Sequence, residues 1–371
     1  MKKMFILATL LIIIGGLMFT MTACASGWNL GKENVEKTTT VAQSFSNIDI
    51  NTDTANISFV PSDDGTCKIV SYDIKKINYS ANVENGILKI KEEDTRKWFA
   101  RLFDMRKSTL TVYLPASEYG DLVISEDTGN IHIPENFKFK SINLNLSTGD
   151  TQLYASVTEN VRIKGSTGNV TVKNITCTSI ETSGSTGNVN ISDVNVYEGV
   201  KVTVSTGDVS LNNINCKNLI SEGDTGDIDL VNVNAGEKVS VQRSTGKVTV
   251  NNSNCGASLN ITVSTGDVHV TNVKCTDLET EGSTGKLIMK NVIATGKFSI
   301  ERSTGDVRFD GCDAAEIDVE TDTGDVTGTL LSDKIFLYET DTGDVRLPES
   351  ISGGRCKIET DTGDIKISIK Q

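Results

Sequence analysis

The chain has 371 residues, with 36 Lys and Arg against 49 Asp and Glu, a net charge of −13 with both histidines neutral. Aromatic residues make up 5%, thin for a globular enzyme of this length, and there are 4 prolines and 32 glycines. An acidic surface repels nucleic acid and anionic lipid and suits cations or basic partners.

The first element is not part of the fold. Lys2 and Lys3 precede an apolar run from Met4 to Met21, followed by Thr22-Ala23-Cys24. This is similar to a bacterial lipoprotein signal peptide covering residues 1–23, with Cys24 as the lipidated residue of the mature N-terminus. The other reading is an uncleaved membrane anchor, since the run is long enough to span. Either way the remainder lies outside the cytoplasm. Removal of residues 1–23 takes away Lys2, Lys3 and no acid, leaving a net charge of −15. Residues 24–43 are polar and patternless, which predicts a linker.

Residues 44–121 predict an N-terminal β region with one interruption. Arg96–Lys107 places Trp98, Phe99, Leu102 and Phe103 on one helical stripe, ringed by Arg96, Lys97, Arg101, Arg106 and Lys107. A short basic amphipathic helix in an acidic chain reads first as a cover for the open end of the domain. The functional alternative is a membrane or partner contact through Arg96, Trp98, Phe99, Arg101 and Phe103.

From residue 122 to 371 a repeat governs the sequence. A Thr-Gly pair recurs with its glycine at Gly129, Gly149, Gly168, Gly187, Gly207, Gly226, Gly246, Gly266, Gly285, Gly305, Gly324, Gly343 and Gly363. Every step is 19 or 20 residues. After each glycine comes period-two alternation, as in Val248-Thr-Val250, then an Asn-rich corner such as Asn251-Asn252, then a second alternating strand such as Leu259-Asn-Ile261. A unit this short cannot bury its apolar face alone, but stacked on copies of itself it can. The predicted fold is all-β: a single-stranded parallel β-solenoid of about 13 right-handed coils behind an N-terminal β cap. At one strand spacing per coil its length is on the order of 60 Å.

The stretch Glu320-Thr-Asp-Thr-Gly-Asp-Val326 contains the Asp-Thr-Gly triplet of aspartic proteases. Such an enzyme needs two triplets facing each other across a cleft, with two carboxylates sharing a proton. Here Asp-Thr-Gly and Ser-Thr-Gly alternate freely along one edge, so the triplet reads as a corner. Gly supplies the turn, and the following Asp or Asn is expected to bond its own backbone.

These repeats, with Phe45-Ser-Asn-Ile-Asp-Ile50, Val83-Glu-Asn-Gly-Ile-Leu-Lys-Ile90 and Leu110-Thr-Val-Tyr-Leu-Pro115, resemble a family of bacterial adhesin-like proteins built from head-to-tail β-strand repeats, a domain of unknown function. The likeness covers roughly Phe45 to Ile369. It implies a β-solenoid on the cell envelope and no established reaction, so no catalytic residues follow from it.

The chemical candidates are few. His132 and His269 are seven coils apart, which leaves no His-based catalytic set or metal site. Cys177, Cys216, Cys255 and Cys275 lie nine residues after their glycines and share that column with Ala235, Ala294 and Ala314. They read as small inward hydrophobes, with a Cys255–Cys275 disulfide as the alternative. Asp306, Asp325, Asp344 and Asp364 form one acidic column, Asp322, Asp341 and Asp361 a second, and Glu281, Glu301, Glu320, Glu339 and Glu359 a third. Stacked like charges call for water, salt or a cation. Oxygen-only ligands would suit calcium as the one candidate cofactor, against a solvated face that opposes aggregation.

The expected function is a non-catalytic envelope lipoprotein, a surface-displayed adhesin-like binding or scaffold module. It engages the membrane through its lipid anchor and an envelope or extracellular ligand, not nucleic acid. A β-helical polysaccharide-active enzyme is the alternative, but it would need long loops and clustered catalytic groups. A signalling accessory in envelope stress is a further one. Lys366 and Lys370 at the C-terminal strand are read as edge protection, favouring a monomer.

Overall fold

The computed structural model describes residues 35–73, 77–96 and 108–370. They form one continuous sheet system, parallel throughout except for three antiparallel pairings in the N-terminal region, and no helix occurs among them. None of the described segments is therefore a helix long and apolar enough to cross a membrane. The signal peptide, Cys24 and the 97–107 part of the expected helix lie outside the described residues.

A single coil shows why the sequence winds. After Gly246 the inward side chains are Val248, Val250, Ser253, Cys255, Leu259, Ile261 and Val263, all buried. The beat of two breaks between Val250 and Ser253 because Asn252 has φ +51° and turns the chain through a left-handed corner. Asn adopts that conformation at low cost. The same position carries Asn174, Asp193, Asn213, Asn232, Asn272 and Asn291, all with φ between 51° and 60°. Their amides bond along the rod: Asn232 Nδ2 donates to Asn213 Oδ1 at 2.9 Å and Asn291 Nδ2 to Asn272 Oδ1 at 3.0 Å. Ser253 takes an apolar position without cost because Val233 N–H donates to its Oγ at 3.1 Å and it donates to Asn251 O at 2.8 Å.

At the Thr-Gly corner the coils stack in register, Thr225 on Thr245 on Thr265. Gly246 has φ +144°, and a Cβ there would lie 2.1 Å from Gly226 O. The neighbouring coil's backbone fills the space a side chain would need, so glycine is required twice over. The expected bond of the next Asp or Asn to its own backbone is corrected. Its side chain accepts the N–H of its successor one coil on: Asp227 N to Asp208 Oδ1 at 2.9 Å, Lys247 N to Asp227 Oδ1 at 2.8 Å. Parallel in-register stacking brings that N–H directly over the side chain.

The stack begins before the first Thr-Gly. Asn47–Thr52 pairs in parallel with Glu118–Thr128, and Ala55–Pro61 pairs with Ile131–Ile133. Ala55–Pro61 also pairs with Ser108–Leu114, which is joined antiparallel to Cys67–Asp73, and that strand to Val35–Val41. Ile77–Glu84 and Ile87–Asp94 form a hairpin whose second strand pairs with Asn47–Thr52.

The other end departs from chain order. Gly354–Thr362 lies between Glu316–Thr323 on one side and Lys334–Thr342 on the other. The coil of Gly363 is thus inserted beneath the coil of Gly343, which becomes the outermost. The edge role read into Lys366 is corrected accordingly, whereas the strand beyond it, leading to Lys370, stays open on its outer side. Ile365–Ile369 pairs along its length with Val326–Leu330, and its first two residues also pair with Val345–Arg346. The longest open edge at this end is Lys334–Thr342, where Ile335, Leu337 and Tyr338 are exposed.

Candidate binding slot beside the Thr-Gly edge

The acidic columns occupy the Thr-Gly edge as the spacing predicts, but in the spatial order Asp306, Asp325, Asp364, Asp344. Asp325 N donates to Asp306 Oδ1 at 3.3 Å, Asp364 N to Asp325 Oδ1 at 2.9 Å and Asp344 N to Asp364 Oδ1 at 2.8 Å. Each accepting carboxylate therefore has a structural task. Lysines relieve part of the charge: Lys286 Nζ lies 2.9 Å from Asp306, and Lys366 pairs with Asp364. Both partnerships hold the aspartates below their usual range. Asp322, Asp361 and Asp341 project into solvent as the next column. Among the described residues, no three Asp, Glu, His or Cys side chains converge to hold a metal ion.

Of the expected helix contact, only Arg96 is described. Its Nε donates to Asp94 at 2.9 Å and 3.0 Å, and its Nη2 at 2.7 Å. Trp98, Phe99, Arg101 and Phe103 lie outside the described residues. His132 meets Gln152 Oε1 at 3.1 Å and the edge of Tyr154, with no carboxylate partner shown. Cys177, Cys255 and Cys275 are buried free thiols and Cys216 is half-buried, with no disulfide among the described cysteines. Burial pushes all four thiols up to about 12, so none is a thiolate nucleophile at neutral pH.

The sequence reading missed the inward column three residues before each corner glycine. It runs Glu126, Leu146, Gly165, Gly184, Val204, Gly223, Arg243, Val263, Gly282, Arg302, Thr321. Aligning the repeats would have exposed it, since ionised groups share a position with Leu146, Val204 and Val263. Glu126 is 3% exposed and accepts hydrogen bonds from Thr52 Oγ1, from Ala55 N at 2.9 Å and from Thr128 N at 3.2 Å. Burial nevertheless raises its carboxyl to about 7.

Both arginines turn back along the rod into space left by glycine. A Cβ on Gly223 would lie 1.6 Å from Arg243 Nη1, and one on Gly282 would lie 1.8 Å from Arg302 Nη1. Arg243 Nη1 donates to Val204 O at 3.0 Å. Arg302 is 2% exposed and finds no acceptor. Burial lowers its guanidinium to about 10, which leaves it charged at neutral pH. The slot above Gly282 has a volume of about 260 Å³, with Glu281, Glu301 and Glu320 in one lining column and Ser264, Ser283, Ser303 and Asp322 in the other. At Gly165 and Gly184 no arginine fills the notch, and a groove of about 400 Å³ opens, bordered by Glu126 and Lys164.

The Toastrack DUF4097 family matches residues 45–255, 195–306 and 254–371. Among solved structures, an adhesin candidate from Bacteroides fragilis NCTC 9343 is 18% identical, with 75% of this chain and 98% of that one covered, at a TM-score of 0.32. An adhesin candidate from Parabacteroides distasonis ATCC 8503 is 12% identical, covering 88% of this chain and 96% of its own, at 0.36. A lipid-binding candidate from the same organism is 13% identical, covering 91% and 98%, at 0.27. Likenesses this distant carry no inference about this chain. No match is found among curated proteins. The resemblance read from the repeats is met by the family match over nearly the whole described length, and the chain belongs to the Toastrack DUF4097 family.

Proposed function

We propose that the chain is a non-catalytic binding rod of the bacterial cell envelope, displayed outside the membrane and tethered by a lipid on Cys24. The observation that carries this is the regularity of the stack. Beyond Gly129 the longest connection between strands runs only from Leu347 to Gly353. An enzyme on a parallel solenoid builds its cleft from long inserted loops bearing clustered acids and bases. Here the outward positions are filled by Asn and Asp ladders whose side chains bond the coils to one another. Such a surface is suited to recognition along its length. The acidic faces keep the rod soluble and direct it toward cationic or zwitterionic ligands.

The test uses cells making the full chain and its Cys24→Ser variant. The full chain is expected in the membrane fraction and open to added protease, and the variant in the soluble fraction. Retention of Cys24→Ser in the membrane would replace lipidation by an uncleaved anchor. Release of new reducing ends from a polysaccharide by the purified chain would overturn the non-catalytic reading.

A further inference from the structure

Arg302 and its surroundings make opposite electrostatic demands within one small slot. Its Nε, Nη1 and Nη2 are all buried without a hydrogen-bond partner among the described residues. A buried cation whose donors meet no acceptor is among the costliest groups a fold can hold, and the charge of Asp267 acts on Arg302 without forming an ion pair with it. Arg243 is the contrast. That residue occupies the equivalent glycine notch and donates to Val204 O, whereas Arg302, beside Val263, leaves its donors unused. The floor of the slot therefore calls for an anion.

The wall calls for the reverse. Glu281, Glu301 and Glu320 are in register on adjacent coils and all line the slot. Arg302 is the only cation among the described residues that line it. A simple anion on Arg302 would face four carboxylates, Asp322 being the fourth. A simple cation among the glutamates would lie next to a guanidinium. A ligand carrying both charges satisfies floor and wall together.

We propose that the slot over Gly282 binds a small zwitterion, with its carboxylate on Arg302 and its ammonium between Glu281 and Glu301. A free amino acid or the termini of a short peptide are the simplest members of this class. The guanidinium has paired donors that match a carboxylate, and because none of its nitrogens is exposed it must turn outward into the slot to meet one. Glu281 and Glu301 stand about one strand spacing apart, roughly 4.8 Å, which lets one ammonium bridge both. Ser283 and Ser303 also line the slot and bring hydroxyls to it. The site depends on the coil geometry alone and stands whether or not the chain is displayed at a surface.

The experiment titrates the whole chain with L-alanyl-L-alanine, with its N-acetylated form and with its C-amidated form, read by calorimetry and thermal unfolding. The dipeptide is expected to bind saturably and raise Tm. Acetylation, which removes the ammonium, and amidation, which removes the carboxylate, should each weaken binding at least about tenfold, the effect of losing one charge-assisted interaction. Arg302→Gln should abolish binding. Glu301→Gln should weaken the dipeptide and leave the acetylated form unaffected. Equal binding of the dipeptide and its acetylated form would overturn the proposal in favour of a simple anion site. No heat and no Tm shift from any of the three probes at millimolar concentration would also overturn it, and a higher Tm for Arg302→Leu would then mark Arg302 as a merely buried cation. The unsubstituted chain carries the three-probe comparison, so the test survives a variant that fails to fold.

Discussion

Replacing Gly246 by Ala probes the corner on which the whole stack rests. Its φ of +144° is unfavourable for any residue with a Cβ, costing about 1–3 kcal/mol. The new methyl would sit 2.1 Å from Gly226 O and 2.7 Å from Gly226 C. Both are backbone atoms, so relief requires the two coils to separate. That strains the bonds from Gly226 N to Thr245 O and from Gly246 N to Thr265 O, each 3.0 Å. With overpacking of about 1–3 kcal/mol, the expected loss is about 3–5 kcal/mol. Gly165→Ala is the control. No heavy atom lies within 4 Å of a Cβ at Gly165, and its φ is not left-handed. This substitution should gain about 0.4–1 kcal/mol through the unfolded chain. Urea unfolding gives the global change, and hydrogen exchange over residues 226–265 gives the local one, since a solenoid opens coil by coil. A Gly246→Ala chain within about 1 kcal/mol of the unsubstituted one, with that segment still protected, would refute the corner as described.

Glu126 makes stability depend on pH. Its folded value of about 7 lies above the ordinary 4.5. The fold therefore favours the neutral acid, and this contribution is fully present below about pH 4.5 and is lost as pH rises through about 7. The slope amounts to about 3 kcal/mol, and Glu126→Gln should flatten it in melts taken between pH 4 and 8. Asp227→Ala removes the acceptor of Lys247 N–H and should cost about 0.5–1.5 kcal/mol, whereas Asp227→Asn should be near neutral. Equal losses from the two would show that charge, and not the hydrogen bond, is what the column needs. Ile358 is 1% exposed between two coils although it lies close to the C-terminus, so Ile358→Ala should cost about 2–5 kcal/mol. Tyr338, its counterpart on the outer coil and 57% exposed, should lose clearly less on the same substitution. The reverse order would mean that the last coils stack in chain order.

Much of this protein is written in its period. A parallel stack in register turns a 19–20-residue repeat directly into contacts, because each residue's main neighbours are its own counterparts one coil away. The Gly and Asn columns could be read as corners and the alternating Val, Ile and Leu as the core, since those preferences are local to a few residues. The acidic columns were visible too, but not what each carboxylate does. That Asp227 bonds the next coil and not its own turn is set by the close approach of a strand far along the chain.

Two features needed the tertiary structure. Glu320–Val326 and Glu339–Val345 are identical in sequence, and Glu359–Ile365 differs only at its last residue. All three fit the same layer equally well by pattern, and only the connections and packing placed the coil of Gly363 between the other two. The buried charges were hidden for a different reason. Polarity patterns assign an Arg or Glu to solvent, yet Arg302 and Glu126 stand at inward positions. Arg302 is there because Gly282, one coil away, leaves the volume its side chain occupies. That pairing is a fact about stacking, and no single repeat contains it.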